Sequence, residues 1–115
     1  MRTIIAGSRD KVTLKDIELA MTVCGWVPSC IISGTARGAD TFGEQWGEAR
    51  GITIYQFPAE WDKYGKSAGY KRNENMAKHA QALVAIWDGE SRGTKHMIDI
   101  AKKEGLQSFV YIIPK

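Results

Sequence analysis

The chain has 115 residues, of which 43% are hydrophobic and 25% are charged. These values are typical of a soluble globular domain and argue against a disordered or fibrous chain, and the length predicts a single domain spanning residues 1–115. The apolar runs are far shorter than the roughly 18 residues of a membrane-spanning helix, and residues 1–7 lack the apolar core of a secretory signal. We therefore expect a soluble cytoplasmic protein with no membrane partner.

Charge and cysteine content disfavour two further classes of protein. The 16 Lys and Arg residues are spread among 13 Asp and Glu residues, giving a net charge of +3, and such a mixed surface disfavours nucleic acid as the partner. Cys24 and Cys30 are too few for a disulfide framework. With His79 and His96 they show no metal-ligand spacing, so we predict buried reduced thiols and no metal site.

Taken in chain order, short apolar runs alternate with stretches of helical periodicity. The run over residues 3–6 ends at Gly7 and predicts the first strand, and Thr13 with Asp16 predicts a capping box at the start of the first helix. Gly25, Gly51 and Gly105 predict the ends of the first, second and fourth helices. The third helix is predicted to begin at residue 68, after one long loop over residues 58–67. The other predicted strands cover residues 29–33, 52–57, 82–87 and 108–113.

The resulting order, βαβαβαβαβ, predicts the fold class. Apolar strands joined by helices form a parallel sheet, since each right-handed crossover places a helix on one of its faces. We expect an α/β, three-layer Rossmann-like domain with a five-stranded, mainly parallel sheet in the order 3-2-1-4-5. Its topological switch point would lie between the first and fourth strands, where ligands bind at the carboxyl ends of the strands.

Three of the loops predicted at that carboxyl edge combine glycine, a hydroxyl residue and arginine. Glycine allows close approach of an oxyanion, the following helix directs amides and its positive dipole end at the anion, and arginine adds charged hydrogen bonds. Tight turns also favour glycine and serine, so a purely structural role for each loop remains open. The predicted ligand-binding or phosphate-binding residues in these loops are Gly7, Ser8, Arg9, Gly34, Thr35, Arg37, Gly38, Ser91, Arg92, Gly93 and Thr94.

The third helix and the loop before it add candidates. Asn73 shares a helical stripe with Met76 and Ala77, so its amide should face the sheet and bond either loop backbone or a ligand, with Arg72 beside it. Aromatic side chains near this edge either stack a base or cover the sheet. These base-stacking candidates are Trp61, Tyr64 and Tyr70.

Two common nucleotide-binding signatures are absent. The segment Gly65-Lys66-Ser67 is similar to the end of a P-loop, but Glu60 stands where the first glycine is required and no strand immediately precedes it. No G-x-G-x-x-G follows the first strand, which disfavours conventional NAD binding. We predict no permanently bound cofactor.

The motifs Gly7-Ser8-Arg9, residues 33–40, Lys71-Arg72-Asn73 and residues 88–94 together resemble the YspA-like, cpYpsA-related branch of the SLOG superfamily, over essentially the whole chain. That superfamily includes the Lonely Guy cytokinin-activating enzymes and the Smf/DprA DNA-processing proteins. The resemblance implies a bacterial or phage Rossmannoid domain that binds nucleotides or nucleotide-derived ligands. It also implies that Gly34, Gly38, Gly93 and Thr94 contact phosphate and sugar.

The resemblance leaves the activity open. Lonely Guy enzymes need a glutamate whose position here is taken by Met97, so N-glycosidase activity on nucleoside monophosphates or NAD-related substrates would require Asp88, Glu90 or Asp40 instead. Binding of a phosphorylated, nucleotide-like small molecule, in a sensor, carrier or sequestering role, is therefore the first hypothesis and the enzyme the alternative. Single-stranded DNA binding is third. Related proteins commonly assemble, and the short chain with four Trp residues leads us to expect a homo-oligomer.

Overall fold

The computed structural model describes residues 1–114, which form five strands and five α-helices. The strands are β1 (Arg2–Gly7), β2 (Cys30–Ser33), β3 (Thr53–Gln56), β4 (Ala82–Trp87) and β5 (Gln107–Ile112). The helices are α1 (Leu14–Val23), α2 (Ala39–Glu48), α3 (Trp61–Tyr64), α4 (Ala68–His79) and α5 (Arg92–Lys103).

The strands form one parallel sheet in the order β3-β2-β1-β4-β5. In the central register Ile4 lies between Ile32 of β2 and Leu83 of β4. The predicted fold class and strand order are confirmed, with the switch point between β1 and β4.

Two apolar clusters, one on each face of the sheet, produce the three layers. Successive side chains of a strand point to opposite faces, so Ile5 packs with α1 and α2 while Ile4 packs with α4 and α5. On the second face Met76 of α4 and Met97 of α5 are 1% exposed. The core therefore needs helices on both sides, as predicted for strands that are apolar on both faces.

The predicted helix signals are present in the structure. Thr13 and Asp16 form a complete capping box at the start of α1. Gly25, Gly51 and Gly105 have φ values of 99°, 69° and 74° after α1, α2 and α5, the left-handed conformation in which glycine ends a helix without steric cost. These caps lie at the amino edge of the sheet, so glycines at the other edge need a separate explanation.

The prediction of one long loop over residues 58–67 is wrong. This segment contains α3 and a 3-10 turn over Gly65–Ser67. The helix begins where the amides of Lys63 and Tyr64 donate to the carbonyl of Glu60, each at 3.0 Å. None of its side chains is buried, so it has no apolar periodicity from which a helix could be predicted.

Strand boundaries differ slightly from the predicted ones. β2 begins at Cys30, β3 covers only Thr53–Gln56, and β5 begins and ends one residue earlier than predicted. β3 and β5 are the edge strands, and Tyr55 and Ile112 are more than half exposed. Their half-buried patterns weaken the signal at the strand ends.

Three further features concern helix length, the cysteines and exposed apolar side chains. Within residues 1–114 no helix is long and apolar enough to cross a membrane. Cys24 and Cys30 are buried free thiols. Leu19 and Val23 lie one turn apart and exposed on α1, and Val27 is 80% exposed. Self-association through such a surface stays a prediction.

Gly7 fixes how closely β1 approaches β4 at the switch point. A Cβ there would overlap the backbone of Ile86, with the nitrogen and carbonyl carbon of Ile86 at 2.9 and 2.8 Å. Gly7→Ala should therefore lower the free energy of unfolding by about 3 kcal/mol or more, because backbone cannot move aside as a side chain can. Urea unfolding measures this.

Gly69→Ala is the control, since a Cβ in α4 would meet nothing closer than 3.6 Å. Helix propensity predicts unchanged or slightly greater stability, by up to ~1 kcal/mol. Equal destabilisation by the two substitutions would contradict the close approach of β1 and β4.

Candidate functional site

A cleft of about 440 Å³ lies at the carboxyl edge of the sheet, between the loops that follow β1, β2 and β4 and the first turns of α4 and α5. We call it the carboxyl-edge cleft. It brings together predicted residues from segments far apart in the chain. Those that line it are Gly7, Arg9, Asp40, Trp61, Tyr70, Arg72, Asn73, Asp88, Ser91, Gly93 and Thr94.

Other predicted residues lie outside this cleft. Gly34, Thr35 and Arg37 line an adjoining cleft of about 480 Å³, which shares Arg9, Trp61 and Arg72 with the first. Tyr64 lines a third cleft beside Lys71, and the ammonium of Lys71 lies 4.9 Å from its ring centroid. The exposed residues Glu90 and Arg92, together with Ser8 and Gly38, line none of the three.

Conversely, the lining includes residues that the sequence analysis passed over. Lys66 lines the carboxyl-edge cleft although the P-loop that would have given it a role is absent. Asp10 and Gly69 also contribute, and Ala6, Met76 and Met97 add apolar surface. Met76 shares the predicted inward stripe of Asn73, and nothing in the sequence distinguished Met76 or Met97 from ordinary core residues.

In the turn before α5, some backbone amides donate to protein acceptors and others have none. Asp88 Oδ1 accepts from the amides of Glu90 and Ser91, each at 2.8 Å, and the Ser91 hydroxyl caps the helix by accepting from the amide of Thr94. The Trp87 indole donates to the Ser91 carbonyl at 3.1 Å. The amides of Arg92 and Gly93 have no acceptor within residues 1–114, as expected for the first two positions of a helix.

Asp88 itself is held as an anion by this turn. The bonds from the amides of Ser91 and Glu90 lower the pKa of the Asp88 carboxyl, and the Ser8 hydroxyl adds to the effect. Ser8 is 1% exposed, and its Oγ also accepts from the Asp88 amide at 3.1 Å. Ser8 thus joins the β1 loop to the β4 loop from beneath the cleft.

In the loop between β2 and α2, backbone amides also donate hydrogen bonds to protein acceptors. The amide of Thr35 donates to Ser33 Oγ at 3.2 Å, that of Ala36 to Asp40 Oδ2 at 3.1 Å, and that of Ala39 to the Ser8 carbonyl at 3.1 Å. Gly38 has a φ of 80°, and a Cβ there would lie 2.5 Å from the Ser8 carbonyl oxygen. Close packing of this loop on the β1 loop is therefore sufficient reason for glycine at position 38.

Two adjacent residues of α4 tie the loops together. Arg72 donates through Nη1 to the Gly34 carbonyl and through Nε to Asn73 Oδ1, the latter at 3.1 Å. Asn73 Nδ2 donates to the Gly93 carbonyl at 3.3 Å and lies 3.2 Å from His96 Nδ1. Asn73 is 7% exposed, so its expected position facing the sheet is found, with loop backbone among its partners.

The contact with Asn73 also sets the state of His96. An amide nitrogen can only donate, so His96 Nδ1 must accept and carries no proton. Burial lowers the pKa of this imidazole, in keeping with a neutral ring. The ring lies 4.4 Å from that of Tyr70, between centroids, which links the first turns of α4 and α5 at the cleft.

Asp40 is a buried carboxyl in the cleft lining, 5% exposed. Burial raises its pKa from an ordinary 3.8 to about 6, although the bond from the Ala36 amide and the nearby Arg72 oppose the shift. Asp40 Oδ2 and Arg72 Nη1 both pack over Gly34, at 2.8 and 2.7 Å from where a Cβ of Gly34 would stand. Glycine at position 34 leaves room for this pair.

The chain is similar to one protein family and to two proteins of phage or prophage origin. The family model described as YspA, cpYpsA-related SLOG family matches residues 1–64. The Gene 61 protein of Mycobacterium phage D29 is 34% identical over 117 residues, covering 91% of this chain and 91% of the phage protein. The uncharacterized SPbeta prophage-derived protein YoqJ of Bacillus subtilis (strain 168) is 48% identical over 33 residues, or 29% of this chain and 19% of YoqJ. No solved structure matches the chain significantly.

The buried Asp40 predicts a specific pH dependence of stability. The unfolded chain releases this proton near pH 4 and the folded protein near pH 6, so ionisation of Asp40 lowers the free energy of unfolding as the pH rises through that window. The full effect is on the order of 3 kcal/mol. Asp40→Asn should therefore gain stability relative to the wild type by that order between pH 4 and pH 7, measured by urea unfolding.

Asp99→Asn serves as the control, because Asp99 is exposed and pairs with Lys95 on the surface of α5. It should show no such gain as the pH rises. A difference between Asp40→Asn and wild type that stays constant over the window would contradict the burial of this carboxyl.

Proposed function

The chain belongs to the YspA, cpYpsA-related SLOG family, and from this premise we propose that it binds a nucleotide or nucleotide-derived phosphorylated ligand in the carboxyl-edge cleft. The role would be that of a sensor, carrier or sequestering protein. The proposal rests on one observation above all. Gly93, whose amide has no acceptor within residues 1–114, lines the same cleft as the cationic residues Arg9, Lys66 and Arg72.

This arrangement suits a phosphate group. The amides of Arg92 and Gly93 lie at the positive end of the helix dipole, which contributes ~0.3–1 kcal/mol toward an anion at an exposed site. Charge-assisted hydrogen bonds from arginine contribute ~1.5–3 kcal/mol each. The Arg72 guanidinium is already oriented by Gly34 and Asn73, so little conformational freedom is lost when it binds.

The remaining walls suit a nucleoside. Trp61 and Tyr70 line the cleft and are 52% and 43% exposed, which leaves aromatic surface available for stacking on a base. Met76 and Met97 also line the cleft, and each is 1% exposed. An aromatic and apolar wall beside a phosphate cradle is the combination that a nucleotide requires.

Gly93 distinguishes a role of the loop glycines in ligand binding from a purely structural role. A Cβ at Gly93 would meet no atom within 4 Å, whereas one at Gly34 or Gly38 would collide with the protein itself. Substitution of Gly93 therefore tests ligand approach without disturbing the free protein.

A second candidate function is N-glycosidic cleavage, and of the three candidate carboxyls only that of Asp40 favours it. Glu90 is exposed outside the cleft lining, and Asp88 is held ionised as an acceptor in the turn before α5. Asp40 lines the cleft with a pKa near 6, which is suited to donating a proton to a departing base at neutral pH.

Ligand binding should depend on Arg9. In calorimetric titration of mononucleotides, dinucleotides, cyclic nucleotides and ADP-ribose, Arg9→Ala should weaken the best ligand by about tenfold or more, as expected for the loss of a charge-assisted hydrogen bond. Gly93→Ala should weaken it as well while leaving the free energy of unfolding unchanged or slightly higher.

Lys103→Ala is the matched control. It removes the same charge at the other end of α5 from the cleft and should leave affinity within about twofold, since exposed charges that far from the ligand are screened. Failure of the whole panel to bind wild-type protein, or equal losses in Arg9→Ala and Lys103→Ala, would contradict the proposal.

If the protein cleaves N-glycosidic bonds, incubation with nucleoside monophosphates or NAD should release free base or nicotinamide, detectable by chromatography. Asp40→Asn should then abolish release, because an amide cannot donate the required proton, while Glu90→Gln should retain it. Ligand binding with no release by wild type would leave binding as the function, and release unaffected by Asp40→Asn would remove the carboxyl mechanism.

A further inference from the structure

The two oxygens of the Asp40 carboxyl have different surroundings. Oδ2 accepts from the Ala36 amide at 3.1 Å. Oδ1 has no hydrogen-bond partner within residues 1–114, and it is not sealed from solvent, because no buried side-chain oxygen or nitrogen of these residues lacks a partner. Since the side chain is 5% exposed and lines the carboxyl-edge cleft, the open oxygen reaches solvent through the cleft.

Neighbouring cations do not neutralise this carboxyl by direct contact. The two salt bridges found among the described residues are Arg37 with Asp10 and Lys95 with Asp99, so Arg72 acts on Asp40 only through space. Two donors of Arg72 are already engaged by Gly34 and Asn73. The charged groups that face Asp40 or share its cleft are Arg9 and Asp10 of the β1 loop, Glu44 of α2, Lys66, Arg72 of α4 and Asp88.

A bound anion would change this balance. It would bring negative charge against Arg9 and Arg72, the cations that act on Asp40, and would place a second negative charge near a carboxyl that is itself buried. Two anions at close range raise each other's pKa, and this favours uptake of a proton by the group with the higher proton affinity. A carboxyl whose free oxygen opens on the cleft can then donate that proton to the ligand.

Resting on the function proposed above, we propose that Asp40 is a ligand-binding residue whose protonated Oδ1 donates a hydrogen bond to an oxygen of the bound anion, so that the protein takes up one proton from solvent as the anion binds. The carboxylate gains the proton, no bond of the ligand is broken, and release of the ligand returns the proton. An ionised Asp40 that accepts from a sugar hydroxyl would bind without proton uptake, which gives the two roles different signatures.

The experiment is calorimetric titration with AMP, ADP-ribose and sulfate in buffers of different ionisation enthalpy. For wild-type protein at pH 7.5 we expect uptake of close to one proton per ligand beyond that of Asp40→Asn. Wild-type affinity should fall by about tenfold per pH unit above pH 6. Asp40→Asn keeps an acceptor for the Ala36 amide, and comparison with it subtracts any pH dependence that comes from protonation of the ligand itself. The affinity of this variant should therefore lack the additional dependence on pH.

Asp99→Asn is the control for loss of an acidic residue outside the cleft, and it should retain the proton uptake of wild type. Binding with equal proton uptake by wild type and Asp40→Asn would overturn the inference while the proposed function stands. Loss of proton uptake in both Asp variants would overturn it as well. Absence of binding by these probes and by the wider nucleotide panel would overturn the proposed function and this inference together.

Discussion

The adjacent side chains of Arg72 and Asn73 hold the carboxyl edge together. One reaches the Gly34 carbonyl after β2, and the other reaches the Gly93 carbonyl in the first turn of α5. These loops follow strands on opposite sides of the switch point, where the connecting helices pass to opposite faces of the sheet. Because both donors lie in one turn of α4, the position of that helix sets the distance between the two loops and so the width of the cleft. The same contacts bury polar groups with partners, which avoids the cost of unsatisfied donors in the core.

Glycine serves two different purposes at this edge. At positions 7, 34 and 38 a side chain would collide with the protein's own atoms, so these glycines allow strands, loops and the side chains of Arg72 and Asp40 to pack closely. At position 93 no protein atom occupies the space. Glycine-rich loops in such folds therefore combine positions required by folding with positions left free for a ligand, and only the surrounding atoms distinguish them.

Sequence patterns predicted most of the fold and part of the candidate site. Buried strands and helical stripes identify most of the elements and the inward position of Asn73, because both depend on periodicity. The alternation of strands and helices then predicts the sheet order. The burial of Asp40 could not be predicted, since an acidic residue in the first turn of a helix normally interacts with the dipole at the surface. Helix α3 and the position of Lys66 in the cleft also could not be predicted from the sequence. Their placement depends on tertiary contacts of a segment that has no buried side chain.

The left-handed backbone of Thr35 has a mechanical consequence for both clefts. A β-branched residue at a φ of 65° stores on the order of 1–3 kcal/mol, and here the side chains of Ser33 and Asp40 hold the loop by bonding consecutive amides. The loop borders the carboxyl-edge cleft and its neighbour. Loss of either hydrogen bond would therefore remove part of what holds Thr35 in this strained conformation, in a loop that both clefts share.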